Sequence, residues 1–226
     1  MPDSPATPGA PGAHEAPGTP AASAPPTTTA DYTRRLARLE RSGIKRMLPT
    51  QAPYRWNLRR LRLGRVLDLG CGLGRNLEGC APGSVGVDHN PHSVRTCRER
   101  GLTAYTPQEL PAAPDCGPGS FDSLLVAHVL EHVDEETAAA LLDRYLALVR
   151  PGGPVVLITP QEVGYRSDAT HVRWVGFEEL RAHAERAGVV TRRSYSFPFP
   201  RPVGRVFPYN EFVLVGTAPA APGTDV

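Results

Sequence analysis

The chain has 226 residues, of which 40% are hydrophobic and 21% are charged, with a formal net charge of +2. This composition is typical of one globular domain and argues against a fibrous or membrane protein. No apolar run approaches the roughly 18 to 20 residues of a membrane span, and no basic segment precedes an apolar stretch near the first residue. We therefore expect a cytoplasmic protein without a membrane span.

Both ends of the chain are poor in core-forming residues. Residues 1–30 are almost wholly Pro, Ala, Gly, Ser and Thr, so they cannot bury enough apolar surface to offset the entropy of ordering. We predict a disordered tail over 1–30, one domain over 31–218 and a flexible C-terminus over 219–226.

A basic segment follows the tail. Residues 34–65 carry eleven basic residues against the single acid Glu40. Two sets of apolar residues spaced at i, i+4 and i+7 predict amphipathic helices that cap the domain over 31–63. These sets are Tyr32, Leu36 and Leu39, and Tyr54, Leu58 and Leu61. We interpret these charges as solvated faces of the two helices. The alternative is a basic surface that attracts RNA or another anionic partner.

From residue 65 onward, predicted strands alternate with predicted helices. Short apolar runs with the composition of buried strands lie at 65–70, 84–88, 102–105, 121–129 and 154–159. Helical periodicity and capping residues place helix starts near residues 75, 91, 134 and 176. Two final strands at 189–197 and 211–217 are joined by a loop too short for a crossover helix, so we expect an antiparallel last strand. This alternation predicts a Rossmann-like, doubly wound α/β sheet.

Three glycines follow the first strand at alternate positions, in VLDLGCGLG. In a doubly wound sheet, ligands bind at the carboxyl ends of the strands where strand order reverses, and glycine lets the backbone approach a ligand closely. Asp88 ends the second strand 18 residues after Gly70, where it can accept hydrogen bonds from a ribose diol or cap the next helix. The G-x-G-x-G spacing differs from the dinucleotide fingerprint G-x-G-x-x-G, which disfavours a nicotinamide-dependent oxidoreductase.

The four cysteines lack the spacing of a zinc site. They are Cys71, Cys80, Cys97 and Cys116. No C-x-x-C pair and no suitably spaced histidine accompanies them, so we interpret them as reduced, small apolar residues and expect no metal site.

Four motifs in order resemble the class I S-adenosylmethionine-dependent methyltransferases, especially their small-molecule branch. They are VLDLGCGLGRN, VGVDHN, FDSLLVAHVLEHV, and the LVRPGG turn before VVLITP. The resemblance covers residues 60 to 190. It implies a seven-stranded, mostly parallel sheet with an antiparallel last strand, and S-adenosylmethionine as the cofactor.

The resemblance also implies a set of cofactor-binding residues. By position these are Asp68, Gly70, Cys71, Gly72, Gly74, Asp88, His89 and His128. The glycine loop and Asp68 would hold the methionine part of the cofactor, Asp88 the ribose hydroxyls, and His89 the adenine edge. Many relatives place an aspartate after the third strand to contact the adenine amine, whereas this chain has TPQEL. Gln108 or Glu109 would have to make that contact.

Histidines near the strand ends are candidates for a catalytic base, because imidazole accepts protons near neutral pH. His128 ends the predicted fourth strand, and His132 follows in LEHV. His171 lies in the loop after the fifth strand, where Asp168 could orient it while neighbouring aromatic residues shape an acceptor pocket. A packing role for His132 and a helix-anchoring role for His171 remain alternatives.

We therefore predict an S-adenosylmethionine-dependent methyltransferase that modifies an oxygen or nitrogen of a small molecule. An RNA methyltransferase that uses the basic 34–65 segment is the first alternative, although no RNA-reading motif is recognisable. A cofactor-binding module without turnover is the second. The sequence makes no prediction about oligomeric state.

Overall fold

The computed structural model describes residues 51–220. The predicted tail, the first of the two predicted N-terminal helices and residues 221–226 lie outside these described residues. Within them, no helix is long and apolar enough to cross a membrane.

Seven strands form one sheet at the centre of the described chain. They are β1 (Val66–Leu69), β2 (Val85–Val87), β3 (Ala104–Tyr105), β4 (Ser123–Ala127), β5 (Pro154–Pro160), β6 (Val190–Phe197) and β7 (Glu211–Thr217). Their order across the sheet is β3-β2-β1-β4-β5-β7-β6. Neighbouring strands pair in parallel except that β7 runs antiparallel to both β5 and β6. The predicted α/β fold with an antiparallel last strand is confirmed.

The central strands are apolar because both faces of the sheet are covered. Every residue of β1 and of β4 is buried, which is why these strands read as continuous apolar runs rather than alternating ones. One face packs a large cluster that includes Leu124, Tyr145 and Leu180. The other face packs a smaller cluster that includes Leu58 and Phe197.

Within residues 51–220, five α-helices connect or cover the strands. They are α1 (Ala52–Arg60), α2 (Pro91–Glu99), α3 (Glu135–Leu146), α4 (Glu162–Arg166) and α5 (Phe177–Arg186). Asn90 caps α2 by accepting a hydrogen bond from the backbone N–H of His92 at 3.0 Å, and Asp134 caps α3 by accepting one from Thr137 at 2.7 Å. These two predicted helix starts are therefore confirmed.

One predicted helix is wrong. The segment after the glycine loop forms turns and a single 3-10 turn at Leu77–Gly79, not an α-helix from Arg75. Gly74 has φ +81°, and Pro82 and Gly83 follow the 3-10 turn within a few residues. Too few residues lie between these breaks to repay the nucleation of a helix.

The second predicted N-terminal helix, α1, lies against the sheet near its last strands. Leu58 is buried with Phe197 in the smaller core cluster, and the hydroxyl of Tyr195 donates a hydrogen bond to Oδ1 of Asn57 at 2.9 Å. Tyr54 donates a hydrogen bond to the carbonyl oxygen of Tyr209 at 2.5 Å. The helix therefore contacts the loop between β6 and β7, as a cap would.

We expect Leu124→Ala to destabilise the fold by about 2–5 kcal/mol, because Leu124 is completely buried in the central strand β4 and its truncation leaves a cavity. Denaturant unfolding followed by circular dichroism measures this change. Val206→Ala, at an exposed position, serves as the control and should change stability by less than about 0.5 kcal/mol. Equal unfolding midpoints would contradict the assignment of this core.

Candidate active site

The loop after β1 contains three glycines with left-handed backbone. Gly70, Gly72 and Gly74 have φ values of +72°, +53° and +81°, which L-residues with a side chain seldom adopt. A Cβ atom at Gly70 would overlap the side chain of Val129, whereas one at Gly72 would meet nothing within 4 Å. Gly70 is needed for close packing against the loop after β4, and Gly72 lies beside open space that a ligand can fill.

Asp88 connects the glycine loop to the end of β2. Its carboxylate accepts a hydrogen bond from the backbone N–H of Gly72 at 2.8 Å and another from Asn90 at 2.8 Å. Each carboxylate oxygen can accept a second hydrogen bond, so Asp88 can hold the loop and still bind a hydroxyl. The ligand-binding and helix-positioning interpretations of this residue are therefore compatible.

Asp68 has a buried carboxylate whose loss of hydration is not fully replaced by hydrogen bonds. The residue is 1% exposed, and its Oδ2 atom has no hydrogen-bond partner within residues 51–220. Burial and the negative charge of Asp88 together raise the pKa of Asp68 to about 8, because both disfavour the ionised form. A cationic group bound nearby would favour the ionised form of Asp68 and so lower its pKa.

Two predicted cofactor residues differ in how their side chains are placed. Cys71 turns its thiol inward, since a Cβ atom at Gly86 would lie 2.6 Å from its Sγ atom. Only the backbone of Cys71 can therefore face a ligand. His89 is exposed, with Nδ1 3.8 Å from Oδ1 of Asp88, which suits a position at the rim of the site.

The two candidates for an adenine contact also differ. Glu109 is engaged by Arg98 at 2.9 Å and by the backbone N–H of Thr106 at 2.8 Å. Because its carboxylate already has these partners, Gln108, which is exposed, is the less constrained of the two.

His128 follows the last residue of β4 and lies between two glutamates. Its φ of +58° is uncommon for a residue with a side chain and costs about 1–3 kcal/mol. Its Nε2 atom lies 3.0 Å from Oε1 of Glu211, and its Nδ1 atom lies 3.3 Å from Oε1 of Glu131. Partial desolvation of the ring, whose side chain is 43% exposed, acts to lower the pKa of His128, but the two carboxylates outweigh it and raise the pKa to about 10. The surroundings thus favour an imidazolium, which has no lone pair with which to act as a base.

Glu131, His132 and His171 form a compact cluster beside His128. One ligand atom from each lies within 4.8 Å of the others. Two loops meet here, because the backbone N–H of Val172 donates to the carbonyl oxygen of Glu131 at 2.8 Å and Nδ1 of His132 lies 3.1 Å from the carbonyl oxygen of Thr170. The fold therefore brings the predicted histidines of the fourth and fifth strands together.

The predicted role of Asp168 needs correction. Nδ1 of His171 lies 2.6 Å from the carbonyl oxygen of Tyr165, so this carbonyl orients the ring. Asp168 instead accepts hydrogen bonds from the backbone N–H and the hydroxyl of Thr170, at 3.0 and 2.8 Å. Thr170 in turn contacts His132, and Asp168 therefore supports the other histidine. A short carboxylate side chain readily bonds the backbone two residues on, which competes with longer contacts.

A family of known proteins matches most of this chain. Residues 30–195 match the family described as "Methyltransferase domain". The chain belongs to the S-adenosylmethionine-dependent methyltransferases. The resemblance seen in the sequence and the predicted cofactor are thereby confirmed, and the oxidoreductase alternative is excluded.

Relatives of this methyltransferase differ in how much of the chain they match. A ubiquinone biosynthesis O-methyltransferase of Methylococcus capsulatus is 34% identical over 103 residues, which are 42% of this chain and 43% of that relative. The chain therefore spans less than half the length of this curated relative.

Two solved structures share the fold over most of both chains. A magnesium protoporphyrin IX methyltransferase from Synechocystis, with bound S-adenosylhomocysteine, has a TM-score of 0.60 at 16% identity and covers 85% of this chain and 97% of its own. A possible histamine N-methyltransferase from Thermotoga maritima has a TM-score of 0.60 at 17% identity, covering 83% and 97%. Their identities are so low that they establish the fold alone.

The described residues fit the cofactor of this methyltransferase family. The uncompensated carboxylate of Asp68 suits the ammonium group of the methionine moiety, since a buried charge needs a partner. Asp88 retains acceptor capacity for ribose hydroxyls, and the space beside Gly72 admits the ligand.

Two acidic residues beside His128 were not among the residues predicted from the sequence. Glu131 is fully buried in the methyltransferase, and the signal for it was an acid placed between two histidines in HVLEHV. Glu211 begins β7, and only the antiparallel direction of that strand brings it to the edge where β4 ends. Its neighbour Asn210 is held by a buried hydrogen bond to Gln161 at 3.0 Å, which secures the start of β7.

We expect Asp88→Ala to weaken the binding of S-adenosylhomocysteine at least about tenfold, because a hydrogen bond to a charged group contributes about 1.5–3 kcal/mol and the Gly72 backbone loses its anchor. Calorimetric titration measures the affinity. Asp143→Ala, on the exposed surface of α3, is the matched control. Equal affinities for the two variants would refute the role of Asp88.

We expect Asp68→Asn to flatten the pH dependence of stability in the cofactor-free protein. The pKa of Asp68 is about 8 in the folded state, well above the value near 3.9 of an unfolded chain. Its contribution to stability is therefore fully present below about pH 4 and is lost as the pH rises towards about 8. Thermal melts at about pH 5 and about pH 8 should show a smaller loss for Asp68→Asn than for the wild type. Asp143→Asn should behave as the wild type, and parallel slopes for all three proteins would rule the assignment out.

Proposed function

We propose that this methyltransferase transfers the methyl group of S-adenosylmethionine to a hydroxyl oxygen of a small molecule. The observation that carries the proposal is the cluster of Glu131, His132 and His171 beside the end of β4, next to the cofactor loop. Carboxylate and imidazole groups can accept a proton, and such a cluster can therefore activate a hydroxyl, whose proton must leave during the transfer. The curated relative is named as an O-methyltransferase of ubiquinone biosynthesis, which supports oxygen as the acceptor atom.

The reaction requires an in-line displacement. When bound, S-adenosylmethionine supplies an electrophilic methyl group on a sulfonium. The acceptor oxygen forms a bond to the methyl carbon as the carbon–sulfur bond breaks, and the electron pair of that bond stays on sulfur. The hydroxyl proton is released, so charge and atoms balance. Much of the rate gain comes from holding the oxygen in line and close to the methyl carbon.

Aromatic side chains around the cluster favour an acceptor with a flat ring. Tyr165 stacks on His171 with ring centroids 5.1 Å apart, and Trp174 meets Tyr165 edge-to-face at 5.4 Å. Ligand pockets are typically lined by such aromatic surfaces with a few polar groups, so a phenolic hydroxyl is the acceptor that fits best.

A methylation screen tests this proposal. The full chain is incubated with S-adenosylmethionine and panels of phenols, amines and short RNAs, and methylated products are identified by mass spectrometry. Methylation of phenols is the expected result. Methylated products from amines alone would mean that the acceptor atom is nitrogen rather than oxygen. Products from RNA alone would favour the nucleic-acid alternative. Binding of S-adenosylhomocysteine without any methylated product would favour a cofactor-binding module.

We expect Glu131→Gln to lower kcat by about 100-fold or more while leaving the affinity for S-adenosylhomocysteine unchanged, because the cluster that activates the hydroxyl loses its negative charge and the glycine loop is not touched. Glu135→Gln is the control, since Glu135 is an exposed residue at the start of α3. Steady-state kinetics with a phenol found in the screen measures the effect. Retention of kcat within a few fold would show that positioning alone carries the reaction.

A further inference from the structure

The cluster of Glu131, His132 and His171 has the arrangement of a metal site. Its three ligand atoms lie within 4.8 Å of one another, and Nε2 of His171 lies 4.0 Å from Oε1 of Glu131. Two ligands bound at about 2.1 Å to one ion lie at most about 4.2 Å apart. Binding therefore requires only small side-chain shifts.

Both histidines of the cluster are held with Nε2 available to a ligand. Nδ1 of His132 donates to the carbonyl oxygen of Thr170, and Nδ1 of His171 donates to that of Tyr165, at 3.1 and 2.6 Å. These contacts place the ring protons on Nδ1 and leave a lone pair on each Nε2. Metal-binding histidines commonly donate their other ring N–H to a carbonyl in this way.

The carboxylate of Glu131 provides an independent indication of a ligand. The residue is fully buried, and neither oxygen makes a hydrogen bond of good geometry within residues 51–220. His128 approaches Oε1 to 3.3 Å, but the same ring also lies 3.0 Å from the carboxylate of Glu211. One imidazolium shared by two carboxylates leaves a net negative charge, which is costly to bury, and a cation among these three residues would offset it.

We propose that Glu131, His132 and His171 bind a divalent transition-metal ion, with Zn²⁺ the best match. Two imidazole nitrogens and one carboxylate suit Zn²⁺, whereas Mg²⁺ and Ca²⁺ prefer ligand sets made of oxygen. Three protein ligands leave a position open, as in catalytic zinc sites. His128 is not a ligand here; it orients Glu131 from outside.

The role of the ion rests on the proposed function, although its binding does not. An acceptor hydroxyl at the open position would lose its proton to solvent more readily, because a bound cation stabilises the oxyanion. The ion would thus select acceptors that present oxygen, and Glu131, His132 and His171 would act through it rather than as proton-accepting bases.

A binding experiment tests the site without reference to activity. The untagged full chain is stripped with a chelator and titrated with Zn²⁺ by calorimetry and with Co²⁺ by visible absorption, whose d–d bands report the ligands. We expect one equivalent to bind to the wild type. Glu131→Gln and His171→Ala should each lower the affinity at least about tenfold, because even the loss of a group that only supports a metal ligand typically costs about 10- to 100-fold. His92→Ala, on the exposed side of α2, should bind as the wild type does.

The outcomes separate the metal site from the proposed function. Absence of metal binding to the wild type would overturn the site. Metal binding that persists unchanged in Glu131→Gln and His171→Ala would also overturn it, and this is the result expected if cysteines bind the ion instead. Each variant must still bind S-adenosylhomocysteine, which establishes that it is folded. Methylation of phenols by chelator-treated protein at the full rate would reject the ion's role and leave the function standing. Metal binding without methylation of any phenol would support the metal site and contradict the proposed O-methyltransferase function.

Discussion

The parallel pairing of β1 with β4 is the constraint on which the site depends. The chain leaves β1 towards β2 on one side and leaves β4 towards β5 on the other, so the two loops diverge around a crevice at the carboxyl edge of the sheet. The contact that excludes a side chain at Gly70 is with Val129 in the loop after β4. The glycine loop after β1 and the loop after β4 therefore pack closely at this point.

The sequence predicts this frame well because burial on both faces leaves a clear signal. β1 and β4 are apolar at almost every position, and Asp88 stands out because it ends such a run. Loop contacts are harder to foresee. The pairing of Asp168 with Thr170 rather than His171 depends on competition between nearby hydrogen-bond groups, and hydropathy carries no information about that competition. The helix predicted from Arg75 fails for a related reason, because glycine geometry outweighs periodicity.

The cluster of Glu131, His132 and His171 shows why sequence spacing is a poor guide to residues that meet only in the fold. Glu131 and His132 are adjacent in sequence, whereas His171 arrives from a different loop, held by backbone bonds such as that from Val172 to Glu131. Cysteine and histidine spacing could not reveal a group assembled in this way. The same assembly buries a carboxylate, and the energetic cost of that burial is information that only the three-dimensional arrangement supplies.

The position of Glu211 has a consequence for how the enzyme is made. Because β7 runs against its neighbours, its first residue reaches the carboxyl edge and contacts His128, 83 residues earlier in the chain. During synthesis, the sheet from β1 to β5 can assemble while the charge on His128 still lacks this partner. A ribosome-bound chain that has not yet extended past residue 211 therefore lacks the contact between His128 and Glu211, and this edge of the sheet is completed only when β7 pairs with β5.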